Sequence, residues 1–443
     1  MAAEAAEVAP APGRIAVVGA GWAGLAAAVE ATGRGHAVTL IELAPQPGGR
    51  ARSLPAEPGQ APLDNGQHIL IGAYVATLAL MRRVGIDPDA VLLRLPLTLV
   101  DADGRGLRLG RGPVLWAFTR AVWAMHHWRW RERLALSNAA LAWLLKGFRC
   151  DPGWTVARLT QGLPERVRRE FVDPLCVAAL NTPAASASAT VFLRVLHDAL
   201  FAGPGASDLL VPRRPLADLL PEPAIAWLRR QGAIVHLGRR AHQLSPRADG
   251  RPGWALDGEP FDAIVLACSA REAARLTATI APDWSQRAAA FSYEPIVTAY
   301  VQADGARLAA PMVALPESPS GDAAPAQFAF DHGALGASPG RFAYVVSGAA
   351  PWVARGLEET GEAVLAQARA TLRGIAPGRI RLIRVVADKR ATFLCLPGLE
   401  RPPTRIANAL VAAGDHVDGP YPATLEGAVR SGLAAVEALA AAP

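Results

Sequence analysis

At 443 residues and 51% hydrophobic content, the chain is long enough to bury more than one ordinary core, so two interleaved domains are expected. Its net charge of +6 comes almost wholly from arginine, Lys146 and Lys389 being the only lysines, and the arginines are scattered, which argues against a nucleic-acid-binding stripe. Four separated cysteines, Cys150, Cys176, Cys268 and Cys395, form no CxxC or paired Cys/His spacing, which argues against a zinc site or disulfide framework and for a reducing, cytoplasmic compartment.

Residues 1–13 are Ala/Pro-rich and acidic with no basic flank, so they read as a disordered tail and not as a signal peptide. No uninterrupted apolar run of about 20 residues occurs, so a spanning helix is not expected. Residues 14–18, RIAVV, read as a short buried strand; Gly19-Ala20-Gly21-Trp22-Ala23-Gly24 follows, and an alanine-rich helix runs to about Arg34. The spacing predicts a dinucleotide-binding turn: Gly19 for the tight turn, Gly21 for close approach of a pyrophosphate, Gly24 for close packing of helix on strand. The helix N-terminus would then face the phosphates. A second strand over residues 36–41 ends on Glu42, where a carboxylate can accept from the ribose hydroxyls. Pro47-Gly48-Gly49-Arg50 follows directly.

Residues 63–74, LDNGQHILIGAY, place Asn65, Gln67 and His68 beside an apolar run, with Gly66 admitting close approach, as in a chain that passes a cofactor face. A helix is expected over residues 78–84 and a hairpin over 91–109, broken at Asp103-Gly104. Residues 116–148 interleave Trp116, Trp123, Trp128, Trp130 and Trp143 with Arg120, Arg129, Arg131 and Arg133. That pattern suits either a bilayer interface, peripheral on the inner face of the membrane, or a helical cap packed on the nucleotide domain. Residues 192–200 read as an amphipathic helix, 223–230 as another, 233–237 as a strand, and 261–267 as a buried parallel strand completing the first sheet. Ala241, just past the strand at 233–237, is counted with the cofactor-binding residues. Strands at 292–301 and 342–347, a loose loop at 316–326, a helix at 358–372 and a strand at 380–386 build a second domain. The closing strand at 408–413 leads through Gly414-Asp415 and Thr424-Leu425 into a last helix.

With Glu42, Gly-Gly-Arg and the closing Gly-Asp stretch in place, the sequence resembles the flavin-dependent amine oxidase and phytoene desaturase superfamily. The resemblance implies FAD, with Arg50 facing its pyrophosphate, Asp415 bonding the ribityl chain, and the helix N-terminus at Thr424 and Leu425 pointing at the flavin pyrimidine. The implied cofactor-binding set is Gly19, Gly21, Gly24, Glu42, Gly49, Arg50, Gly66, Gln67, Ala241, Gly414, Asp415, Thr424 and Leu425. The expected class is α/β: a discontinuous Rossmann-like FAD-binding domain (residues 14–75, 205–285 and 386–443) with an inserted mixed α+β substrate domain (76–204 and 286–385).

Within the superfamily, DNGQHILIGAY (64–74), LNTP (180–183), FLRVLHDAL (192–200), LLVPRRPLADLLPEPA (209–224), YEPIVTAYV (293–301), DKRATFLCLPGLERP (388–402) and GDHVDGPYPATLEGAVRSG (414–432) resemble the hydroxysqualene dehydroxylase branch. This implies reductive removal of an allylic hydroxyl from a long-chain isoprenoid to give squalene, in an apolar, water-excluding site with a proton donor. His68, Tyr74, Asp198 and Asp388 are the candidate donors, unranked. A carotenoid-type desaturase shares every cofactor motif. An amine oxidase is disfavoured because residues 295–300 hold no lysine, and a flavin-bearing isoprenoid carrier is the alternative outside enzymes. Only one dinucleotide fingerprint is present, so the electron donor for the flavin is left open.

Overall fold

The computed structural model describes residues 13–56, 61–101, 104, 106–110, 112, 114–201, 203–315, 324–372 and 374–440; the tail expected at 1–13, Gly13 apart, and most of the loop expected at 316–326 lie outside the described residues. The run Arg14–Val18 forms an inner strand, paired in parallel with Ala37–Glu42 on one side and Ala263–Leu266 on the other. The full six-stranded order is Arg405–Ala407, Leu410–Ala412, Ala263–Leu266, Arg14–Val18, Ala37–Glu42, Ile234–Leu237, parallel throughout except for the outermost Arg405–Ala407. All four residues of Ala263–Leu266 are buried, because helices and a small sheet cover both faces. On one face pack the helices Trp22–Gly33, Pro221–Arg230 and Leu425–Ala440, through Leu25, Val29, Ile225, Leu228, Val429 and Val436. On the other lie Leu244, Leu256, Phe261, Leu276 and Trp284.

The second large sheet is antiparallel, in the order Met312–Ala314, Phe328–Asp331, Arg341–Val346, Tyr293–Gln302, Arg381–Phe393. Its last strand runs seven residues beyond the Val386 expected from sequence, and this carries Asp388 into the ladder opposite Ile296. The register shifts between Glu294 and Ile296, where Pro295 has no N–H to give.

One expectation is corrected. The hairpin expected across 91–109 is confined to Thr98–Val100 and Gly106–Arg108, while Leu92–Leu95 pairs with Leu209–Pro212 instead; Pro96 interrupts the run between them. In the tryptophan-rich stretch, two helices form, Val114–Trp123 and Trp130–Leu145, and Trp128 between them is core: it is 1% exposed and its indole N–H donates to Glu170 at 2.7 Å. Arg133 likewise serves the fold, donating to the carbonyls of Trp128 and Trp123.

Candidate cofactor and active site

Where the parallel strands end, the chain leaves a cavity of about 660 Å³ between the six-stranded sheet and the paired strands Tyr293–Gln302 and Arg381–Phe393. This is where open α/β sheets bind ligands. Of the expected cofactor residues, Gly19, Gly21, Glu42, Gly49, Arg50, Gly66, Gln67, Ala241, Gly414, Asp415, Thr424 and Leu425 all line it, together with the candidate donors His68 and Asp388. Gly24 stands behind the wall, and Tyr74 and Asp198 are not in the lining.

The glycine turn is shaped for close approach. Gly19 has φ of 109°, and a Cβ there would come within 2.6 Å of the Ala267 carbonyl oxygen. A Cβ on Gly24 would come within 1.8 Å of the Gly19 carbonyl oxygen, so the helix lies directly on the turn. Gly21 caps that helix, leaving its first N–H groups at the cavity. The Glu42 carboxylate is held beside them, accepting from the Ala20 N–H at 2.6 Å and the Ala44 N–H at 2.7 Å. At the other end of the chain, Thr424 accepts from the Gly427 N–H at 2.9 Å and caps the helix Leu425–Ala440, bringing a second helix N-terminus to the cavity.

Between the two helix ends, Arg50 donates to the Asp415 carboxylate and, at 3.0 Å, to the Ala391 carbonyl. Burial alone would lower the Arg50 pKa, but Asp415, with Asp388 and Tyr293 nearby, outweighs it and holds the guanidinium above its ordinary value. The pair puts a fixed cation and a fixed hydrogen-bond acceptor 365 residues apart in sequence onto one wall. A dinucleotide with a negative diphosphate and a polyhydroxylated linker matches that wall in charge and in hydrogen-bonding capacity.

The remaining polar groups cluster around His68. Its Nδ1 faces the Gly66 carbonyl at 3.0 Å, which makes Nδ1 the protonated nitrogen of the neutral ring and leaves Nε2 free. Burial lowers the His68 pKa, against the opposing pull of the Gly66 carbonyl and Asp388. Asp388 accepts from Asn65 Nδ2 at 3.0 Å and from the Arg390 N–H at 2.9 Å. Gln67 Oε1 lies 3.3 Å from Nε2 of His332, so a residue of the second sheet orients a cavity amide. Asp198 sits instead on the helix Ala189–Phe201, bonded to Arg194 at 2.6 Å and His197 at 2.8 Å. Burial would raise its pKa, but these two neighbours and Tyr421 overcome that and hold it low, as a carboxylate with no proton to give at neutral pH. The Tyr74 hydroxyl is pushed well above its ordinary range, first by burial and then by Glu426.

Sequence reasoning passed over Tyr293, Ser269, Phe393 and His416, all of which line the cavity. His416 follows Asp415 directly and is 4% exposed, a proximity to the cofactor motif that could have flagged it. Neither lysine lines the cavity, and Lys146 and Lys389 are both exposed. Among the described residues there is no cluster of His, Cys, Asp and Glu that could hold a metal ion, and no helix long and apolar enough to cross a membrane.

Residues 22–440 match the family model for flavin containing amine oxidoreductases. The chain is similar to the hydroxysqualene dehydroxylase of Rhodopseudomonas palustris, at 29% identity over 96% of this chain and 98% of that one. It is also similar to the "Probable zeta-carotene desaturase" of Synechococcus elongatus, at 25% identity over 66% of each chain. Among solved structures, an oxidoreductase from Methanosarcina mazei superposes with a TM-score of 0.71 at 15% identity, over 96% of this chain and 100% of that one, and so shares the fold.

Proposed function

The chain belongs to the flavin containing amine oxidoreductase family, and we propose that within it this FAD-dependent oxidoreductase reductively removes the allylic hydroxyl of a hydroxysqualene-like isoprenoid, giving squalene. The observation that carries the reading is the end-to-end similarity to a hydroxysqualene dehydroxylase, over 96% of this chain. The absence of lysine from the cavity wall adds support, since it leaves amine chemistry without the residue that the superfamily resemblance associates with it.

Arg50 and the helix beginning at Trp22 would hold the diphosphate, Glu42 the ribose, and Asp415 with the helix beginning at Leu425 the flavin end. When bound, the reduced flavin supplies a hydride. The substrate carbon loses its hydroxyl and gains that hydride, so one proton must reach the departing oxygen for water to leave. His68 Nε2, unprotonated at rest because Nδ1 carries the proton held by the Gly66 carbonyl, takes up a proton from solvent before the substrate fills the cavity and passes it to the departing oxygen, with Asp388 beside the ring stabilising the protonated form. Burial keeps the resting imidazole neutral, so its protonated form is a strong acid. Beside His68, Ile296 lines the cavity and, with the half-buried Ile69 and Ile71, packs onto the cluster of Leu209, Val211 and Tyr300, an apolar flank suited to a hydrocarbon chain.

The zeta-carotene desaturase similarity favours a second reading, in which hydride runs from substrate to flavin. An anaerobic experiment separates them. Chemically reduced enzyme mixed with hydroxysqualene in detergent should regain the oxidised flavin spectrum and yield one squalene per flavin. A His68→Phe variant should keep its FAD and slow this transfer by roughly 10²-fold or more. If the reduced enzyme stays bleached, while oxidised enzyme bleaches on mixing with a more saturated polyene precursor, the protein is a desaturase.

A further inference from the structure

Large apolar side chains are exposed in two different ways on this molecule. Leu43 lies just past a strand end and Val75, Ile234, Leu357 and Ile383 stand on four different elements, a scatter that is ordinary for a protein surface. Leu115, Trp116, Trp123, Trp130, Leu134, Leu141 and Leu145 all stand on one pair of adjoining helices, Val114–Trp123 and Trp130–Leu145. Trp116 is 74% exposed and Leu145 78%, so most of each residue meets water. A concentration of this kind marks a surface that is covered in use.

The charges around the patch decide what covers it. Arg120, Arg129, Arg131, Lys146 and Arg149 are exposed on the same stretch, and its one acid, Glu132, is turned back onto the Arg129 N–H at 2.7 Å. The Arg131 guanidinium lies over the Trp130 ring, 5.4 Å from its centroid. Indoles and leucines fringed by unopposed cations fit the headgroup layer of an anionic bilayer: the rings settle at the apolar boundary and the cations meet phosphate. The inner face of the same helices supplies Ala117, Ala121, Val122 and Leu136, and their connection supplies Met125 and Trp128, to a core that also contains Phe393, and Phe393 lines the cavity.

We propose that the helix pair 114–145 is a docking surface for an anionic lipid bilayer, seating the protein on one leaflet. The surface rests on the exposed residues alone; its use as the route by which substrate arrives rests on the isoprenoid reading given above.

FAD-loaded protein should sediment with phosphatidylcholine vesicles containing phosphatidylglycerol at low salt, and much less with pure phosphatidylcholine vesicles. Trp116→Ser, Trp130→Ser and Leu145→Ser combined should cut the bound fraction at least tenfold, with the flavin absorbance per chain unchanged as the control for folding. Turnover of detergent-dispersed hydroxysqualene should be the same in the triple variant and in the wild type. Wild-type protein that stays in the supernatant, or a triple variant that sediments equally well, overturns the proposal. So does a wild-type dimer that the three substitutions convert to monomer, since a second copy would then be the cover. Vesicle binding without turnover of any isoprenoid alcohol leaves the surface standing and sinks the substrate reading instead.

Discussion

His332 and His416 are each held neutral in the folded chain, with pKa values lowered to about 4 by burial; Arg341 adds to the effect at His332, while Arg50 and Arg401 add to it at His416. Unfolded, both return toward 6.5, so between pH 6.5 and 4 the unfolded chain binds more protons and acidification removes stability. Asp64 opposes this: burial raises its pKa to about 6, so the folded state takes up a proton there first. These three groups together contribute a loss of about 2 to 3 kcal/mol between pH 7 and pH 5, and the burial of His68 acts in the same direction. Urea unfolding at the two pH values measures it: wild type should lose stability, His332→Gln should lose less, and Asp64→Asn should lose more. A wild type equally stable at both pH values would show that these groups are not buried as described. None of this was legible in sequence. Asp64 and His416 stood inside quoted motifs, but their burial depends on residues hundreds of positions away, whereas Glu42, Arg50 and Asp415 were legible because a local turn and a strand end place them.

Elements with a strong local signature were read nearly to the residue. The strand Arg14–Val18 and the helix Trp22–Gly33 follow from a β-branched run and a glycine turn, and the strand Ala263–Leu266 from its continuous apolar character. Elements whose partner is distant were read less well: Leu92–Leu95 looks like half of a local hairpin until Leu209–Pro212 claims it. The last helix shows the same division. Its span was legible, but the role of Glu426 in its first turn was not. That carboxylate is fully buried and accepts from the Thr77 N–H at 2.9 Å, the Thr77 hydroxyl at 2.7 Å, the Ala76 N–H at 3.1 Å and Arg430 at 2.7 Å. It therefore fastens the helix Val75–Arg83 to the helix whose N-terminus meets the cavity. Glu426→Ala leaves the Ala76 and Thr77 donors without an acceptor while Arg430 stays open to solvent, and stranding buried donors costs about 1 to 3 kcal/mol. Denaturant unfolding at neutral pH should show that loss, with Glu426→Gln intermediate; an Ala variant within 0.5 kcal/mol of wild type, the scatter typical of surface substitutions, would mean the fastening contributes nothing.

At the scale of the whole molecule, the cavity wall is drawn from five separated stretches, between residues 18–52, 65–68, 239–276, 293–296 and 387–428, so no single stretch makes it. Sequence could show that both ends of the chain carry flavin signatures, but not that Arg50 and Asp415 would meet across 365 residues. The unfolded chain therefore has no FAD site to offer, and binding stabilises only the folded state, by about 2.7 kcal/mol at a free concentration 100 times the dissociation constant. For a chain of this length each kcal/mol moves the melting temperature by roughly 1 °C, so removing FAD should lower it by roughly 3 °C and adding FAD back should restore it. Asp415→Ala should melt close to apo wild type at moderate FAD and recover only at higher FAD, because it removes the partner that holds Arg50 in place and leaves the rest of the wall intact. A melting temperature indifferent to saturating FAD would mean that these stretches do not form the site together. The cavity would then have to be read as a void between two sheets, with the glycine turn, Glu42 and the Arg50–Asp415 pair explained by packing alone.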